Sequence, residues 1–203
     1  MNNENFIHIL PDYATHEIVY LSQAIASDEY ALKETPKYVN KVVAPTMEPV
    51  KIISGFRTLP DYSFETMPDD YAALVLIGGF GLDDTCCRTG RADCQAGHSK
   101  KGKIVGAICN GTSFMAKCGF LNTVKHTGNG LEQLKKFGVA TITSIRKDMP
   151  MPKQSATKNI VTANGSATLE FAKELLLLLA KRHTGTYRNV LSVQQAGLLQ
   201  IIP

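Results

Sequence analysis

Short continuous apolar runs, closed by glycine, proline or small polar residues and often followed by helical spacing, set the rhythm of this chain. Residues 6–10 read as a buried strand stopped at Pro11-Asp12-Tyr13, and residues 15–26 then put Ile18, Leu21 and Ile25 on one helix face. Residues 38–43 and 50–53 read as strands parted by Pro45-Thr46, with Gly55 after the second and a polar connection over 56–61. The run 72–77 has no polar position, as a strand covered on both faces requires, and Gly78-Gly79 closes it. Another such run ends at Cys109, with a helix expected from 111 to 117. Beyond it the pattern predicts strands at 124–127, 139–145 and 159–163, and helices at 131–137 and 167–182. Past Gly185, the positions Val190, Leu191, Leu198 and Ile201 suit a small docking helix or a subunit contact.

Strands alternating with helices predict an α/β fold, a doubly wound and mostly parallel sheet with helices on both faces. A chain of 203 residues can bury one such core, so a single domain over 1–203 is expected. Hydrophobic residues make up 44% and charged residues 20%, which argues against disorder and fibrous structure. The net charge of +4 is dispersed, so no nucleic-acid partner is expected. The most apolar stretch, 175–180, is far too short to span a membrane, and the first five residues lack the basic and apolar regions of a secretory signal. Five cysteines without such a signal point to a reducing, cytoplasmic location and no disulfide framework.

Candidate chemistry concentrates at Cys109. A thiol between a buried strand and a helix opened by Asn110-Gly111 has the layout of a nucleophile elbow, where free N–H groups and the helix dipole favour a thiolate. An apparent thiol pKa below about 8.5 is therefore expected. In an open parallel sheet, ligands gather beyond the carboxyl ends of the strands, and residues 12–17, Gly78-Gly79 and Cys109 all fall at such ends. Neither a cofactor nor a metal is expected. The run Gly78-Gly79-Phe80-Gly81 fails the dinucleotide spacing at Asp84, and Cys86, Cys87, Cys94 and His98 lack a Cys-x-x-Cys pair. His16 and His98 are candidate proton donors, and Cys118 reads as core packing.

Leu10-Pro11-Asp12-Tyr13-Ala14-Thr15-His16-Glu17, Ile77-Gly78-Gly79, 106–111 and 164–172, taken in order, resemble the ThiJ/PfpI superfamily. That superfamily is a branch of the flavodoxin-like, class I glutamine amidotransferase-like fold that includes the PfpI intracellular proteases and the parkinsonism-associated deglycase. The resemblance implies a catalytic Cys109 and Glu17, with Gly78, Gly79, Asn110, Gly111 and Asn129 forming the oxyanion and binding surroundings. Glu17 helps a thiolate only as a protonated donor, so a raised Glu17 pKa is expected. Two positions depart from the family pattern. Asn110 stands where PfpI-type members carry histidine, and where other members place a histidine on the next strand the register puts Asn129, while strand parity turns His126 away from the thiol. The chain also lacks a late His-x-Glu pair, so glutaminase activity is not expected. The implied activity is hydrolase, peptidase-like, glyoxalase-like or deglycase-like, on a small-molecule or peptide carbonyl or acyl substrate, in a homodimer. The alternative is a redox or stress sensor that works by oxidation of Cys109.

Overall fold

The computed structural model describes residues 4–8, 11–26, 38–81, 103–136, 154–157 and 159–184. Its strands are β1 (Glu4–His8), β2 (Val39–Ala44), β3 (Val50–Lys51), β4 (Arg57–Thr58), β5 (Tyr62–Ser63), β6 (Ala73–Leu76), β7 (Ile104–Ile108), β8 (Gln154–Thr157) and β9 (Ile160–Ala163). The helices are α1 (Val19–Ala26), α2 (Asn110–Lys117), α3 (Leu131–Lys136) and α4 (Thr168–Thr184), and a 3-10 turn at Thr15–Glu17 precedes α1. The main sheet runs β5-β2-β1-β6-β7-β9-β8, parallel throughout except where β8 meets β9.

Every residue of β6 and β7 is buried, because each strand is covered twice. One face packs under α1 and α4 through Leu21, Ile25, Phe171, Leu175 and Leu179, and the other under α2 and α3 through Phe114, Met115 and Leu134, with Leu121 added from the segment between them. The expected doubly wound α/β architecture is therefore present. The chain leaves β1 toward β2 and later returns to β6 on the other side of β1. That reversal opens a crevice at the carboxyl ends of β1 and β6, the position where such sheets bind ligands.

Several local expectations differ from what forms. Residues 50–53 do not join the main sheet: β3 pairs antiparallel with β4, inside the stretch read as a polar connection. This hairpin then attaches to the glycine turn, because Tyr13 bridges Ile52 on one side and Gly79 on the other. Residues 124–127 are not a strand. Their backbone is held by a side chain, with the Thr127 N–H donating to the Thr162 hydroxyl at 2.9 Å, so no neighbouring strand is needed. The edge strands β5 and β8 carry polar sequences without an apolar run, and pairing with β2 and β9 selects them over their weak intrinsic signal. The strand expected at 139–145, the stretch past Gly185, and Cys86, Cys87, Cys94 and His98 lie outside the described residues.

Candidate active site

Cys109 leaves β7 with φ 55° and ψ −126°, a left-handed conformation that is uncommon for a side-chain-bearing residue. Its surroundings fix that bend from both ends. The Cys109 N–H donates to the Ala163 carbonyl at 3.0 Å, while the Thr112 N–H (3.1 Å) and hydroxyl (2.6 Å) both donate to the Cys109 carbonyl. The thiol is thereby turned out of the sheet at the start of α2, half-buried.

Glu17 reaches the sulfur from the 3-10 turn that follows β1, at the same edge of the sheet. Its side chain is 2% exposed, it accepts the Gly78 N–H at 2.5 Å, and it shares a hydrogen bond with the thiol. Burial lifts its carboxyl above the ordinary 4.5, outweighing the Gly78 N–H, the thiol and the charge of exposed His16. Burial also lifts the Cys109 thiol. Asn129 and the Asn110 N–H pull it back, while the Glu17 charge and the acceptance of the thiol's hydrogen bond push it further up. The raised Glu17 matches expectation, whereas the thiolate-favouring shift expected at the elbow is reversed. Desolvation and a like charge at contact outweigh the donors of the helix start.

Two asparagines complete the rim. Asn129 donates its amide N–H to Cys109 Sγ at 3.1 Å and accepts the Gly165 N–H at 2.9 Å. Asn110 donates to the Gly79 carbonyl at 2.8 Å and accepts from Gln133 at 2.8 Å. Asn129 and not His126 meets the sulfur, although the segment is no strand and parity is not the reason. His126 is buried and its Nδ1 pairs with the Val124 carbonyl at 2.8 Å, while its Nε2 has no hydrogen-bond partner among the described residues.

Two of the expected oxyanion residues need correction. The Gly78 N–H is already committed to Glu17, so it is not a free donor to an oxyanion. Gly78 acts through its missing side chain instead, since a Cβ there would lie 2.7 Å from Cys109 Cβ and 3.0 Å from Sγ. Gly111 is buried against the Leu76 carbonyl and serves the packing of α2 on β6. Sequence reasoning also missed two neighbours. Gly165, where a Cβ would come within 3.1 Å of Sγ, belongs to the small-residue run 164–167, which was its only signal. Gln133 gave none, because α3 was read only through its apolar positions. Among the described residues no three metal-ligating side chains converge, and no helix is long and apolar enough to cross a membrane.

The sequence pattern of the DJ-1/PfpI family matches residues 6–178. The chain belongs to the DJ-1/PfpI family. Among its family relatives, the "Uncharacterized protease YdeA" of Bacillus subtilis is 32% identical over 174 residues, covering 84% of this chain and 80% of that protein. A ThiJ/PfpI family protein from Bacillus anthracis superposes with a TM-score of 0.75 at 25% identity, over 96% of this chain and 97% of that one. The DJ-1 superfamily protein Atu0886 from Agrobacterium tumefaciens gives 0.73 at 26% identity, over 89% and 90%. The shared DJ-1/PfpI architecture accounts for the strand order that delivers Glu17, Gly78 and Cys109 to one crevice.

Proposed function

We propose that this DJ-1/PfpI chain is a cysteine-dependent enzyme that attacks a small carbonyl or acyl group with Cys109 and uses Glu17 as its proton acceptor. The observation that carries the reading is the buried Glu17 carboxyl, raised above its ordinary value and hydrogen-bonded to a thiol on a left-handed elbow. A raised thiol is a poor nucleophile at rest, so its proton must leave as the carbon–sulfur bond forms. A buried carboxylate at contact distance, made more basic by burial, is suited to accept it.

In ester hydrolysis, Sγ forms a bond to the carbonyl carbon, the thiol proton passes to Glu17, and the carbonyl π pair moves to oxygen. Collapse of that oxyanion breaks the bond to the leaving alkoxide, which takes the proton from Glu17. Water then adds to the thioester with Glu17 again accepting a proton, and release of the acid returns it to Sγ. Among the family's activities, the protease name of the Bacillus subtilis relative favours acyl transfer. The absence of a histidine partner at Sγ among the described residues favours substrates with good leaving groups over peptides, since an amine must be protonated as it departs.

Turnover of p-nitrophenyl acetate and of methylglyoxal by the wild-type chain and by Cys109→Ala tests the reading. Saturable turnover of at least one probe, lost in the variant with its circular dichroism unchanged, is the expected result. Equal turnover in the variant contradicts it.

A further inference from the structure

Gly78 cannot serve an oxyanion while it serves Glu17, so the donors must come from elsewhere in the elbow. The N–H of Asn110, which already points at the sulfur, supplies one. The pairing of residues 78–80 with residues 12–14 identifies the second. Ala14 donates to the Gly78 carbonyl at 3.0 Å and Phe80 donates to the Asp12 carbonyl at 3.2 Å, so Gly78 and Phe80 face the Asp12–Ala14 segment and Gly79 between them faces away. The Gly79 carbonyl indeed points to the Asn110 side chain. The Gly78 carbonyl is held by the Ala14 N–H, and across the trans peptide the Gly79 N–H points the opposite way, toward Asn110 and the elbow.

We infer that Gln133 is a positioning residue: by orienting the Asn110 amide, which grips the Gly79 carbonyl, it holds the Gly79 N–H toward the developing oxyanion. The inference rests on the thiol chemistry proposed above. The direction of the clamp is dictated by donor and acceptor chemistry. A backbone carbonyl only accepts, so the Asn110 nitrogen faces Gly79 and its oxygen is left for the Gln133 N–H. Without that N–H the amide is free to rotate, and the Gly79 carbonyl loses the side-chain donor that fixes the bend at Gly79 between the Gly78–Gly79 and Gly79–Phe80 peptides. Gln133 itself is half-buried on α3 and touches neither Gly79 nor the sulfur by hydrogen bond; it acts through Asn110.

Two reactions of the same sulfur separate this role from general structural support. Ester attack builds an oxyanion, whereas iodoacetamide alkylation displaces iodide and builds none. With p-nitrophenyl acetate and iodoacetamide as probes, Gln133→Leu is expected to slow acylation of Cys109 about 10-fold while leaving alkylation rate and its pH midpoint unchanged. Gln133→Glu, which sets an acceptor against an acceptor, is expected to slow acylation at neutral pH at least as much. Acylation at the wild-type rate in both variants overturns the clamp alone, as does an equal loss in both reactions. A wild-type chain that p-nitrophenyl acetate does not acylate at Cys109, though iodoacetamide alkylates it, overturns the underlying acyl-transfer reading and the clamp with it.

Discussion

Gly78→Ala is expected to cut Cys109 acylation by roughly 100-fold or more, because the methyl group would occupy the space of the elbow itself. Its carbon would sit 2.7 Å from Cys109 Cβ, 2.8 Å from the Asn110 nitrogen and 3.0 Å from Sγ. None of these atoms can retreat cheaply. Cys109 is tied through its N–H to Ala163 and through its carbonyl to Thr112, and Asn110 opens α2. Moving Gly78 instead would break its hydrogen bonds to Glu17 and Ala14 together. Overpacking of this kind costs about 1–3 kcal/mol, so the urea midpoint should fall along with reactivity. Gly130→Ala is the control, since an added Cβ there meets nothing within 4 Å. Wild-type acylation and stability in Gly78→Ala would show that the elbow does not hold the geometry described.

Glu17→Gln is expected to change how stability varies with pH. The folded Glu17 carboxyl is raised above its ordinary 4.5 by burial. As pH climbs from that ordinary value to the raised one, the unfolded chain gives up this proton before the folded chain does. The folded state therefore binds more protons in that window, and the group's contribution to stability falls as pH increases through it. Glutamine does not titrate, keeps a carbonyl oxygen for the Gly78 N–H, and adds an N–H that can face the sulfur. Thermal unfolding across that window should show a loss of stability with rising pH in the wild type that is smaller in Glu17→Gln. Identical pH profiles would mean that Glu17 is not held in the buried state described.

The sequence made the central strands legible because β6 and β7 are covered on both faces, and only apolar residues tolerate that setting. Cys109 and the glycine pair were legible for a related reason, since each follows such a strand, while Glu17 follows the run read at 6–10, and the fold brings strand ends together. Asn129 was found through family register, and the structure holds it at the sulfur by hydrogen bonds to Sγ and Gly165 rather than by strand alternation. What escaped were features decided by contacts distant in sequence. β8 is a polar tetrapeptide that becomes a strand only beside β9, and β3 joins Tyr13 instead of the main sheet. The thiol's ionisation escaped for the same reason. An elbow seen alone predicts a thiolate, and only the burial and contact of Glu17 reverse the sign. Gln133 reaches the site through one side-chain amide, which leaves no periodic trace in the sequence.

If the Cys109 thiol and the Glu17 carboxyl titrate as partners, iodoacetamide labelling of Cys109 against pH will differ between the wild type and Glu17→Gln. The expected wild-type midpoint lies above the ordinary thiol value of about 8.5, with a lower midpoint in the variant, where the like charge is gone. A wild-type midpoint below that value, or one that Glu17→Gln leaves in place, would contradict that partnership.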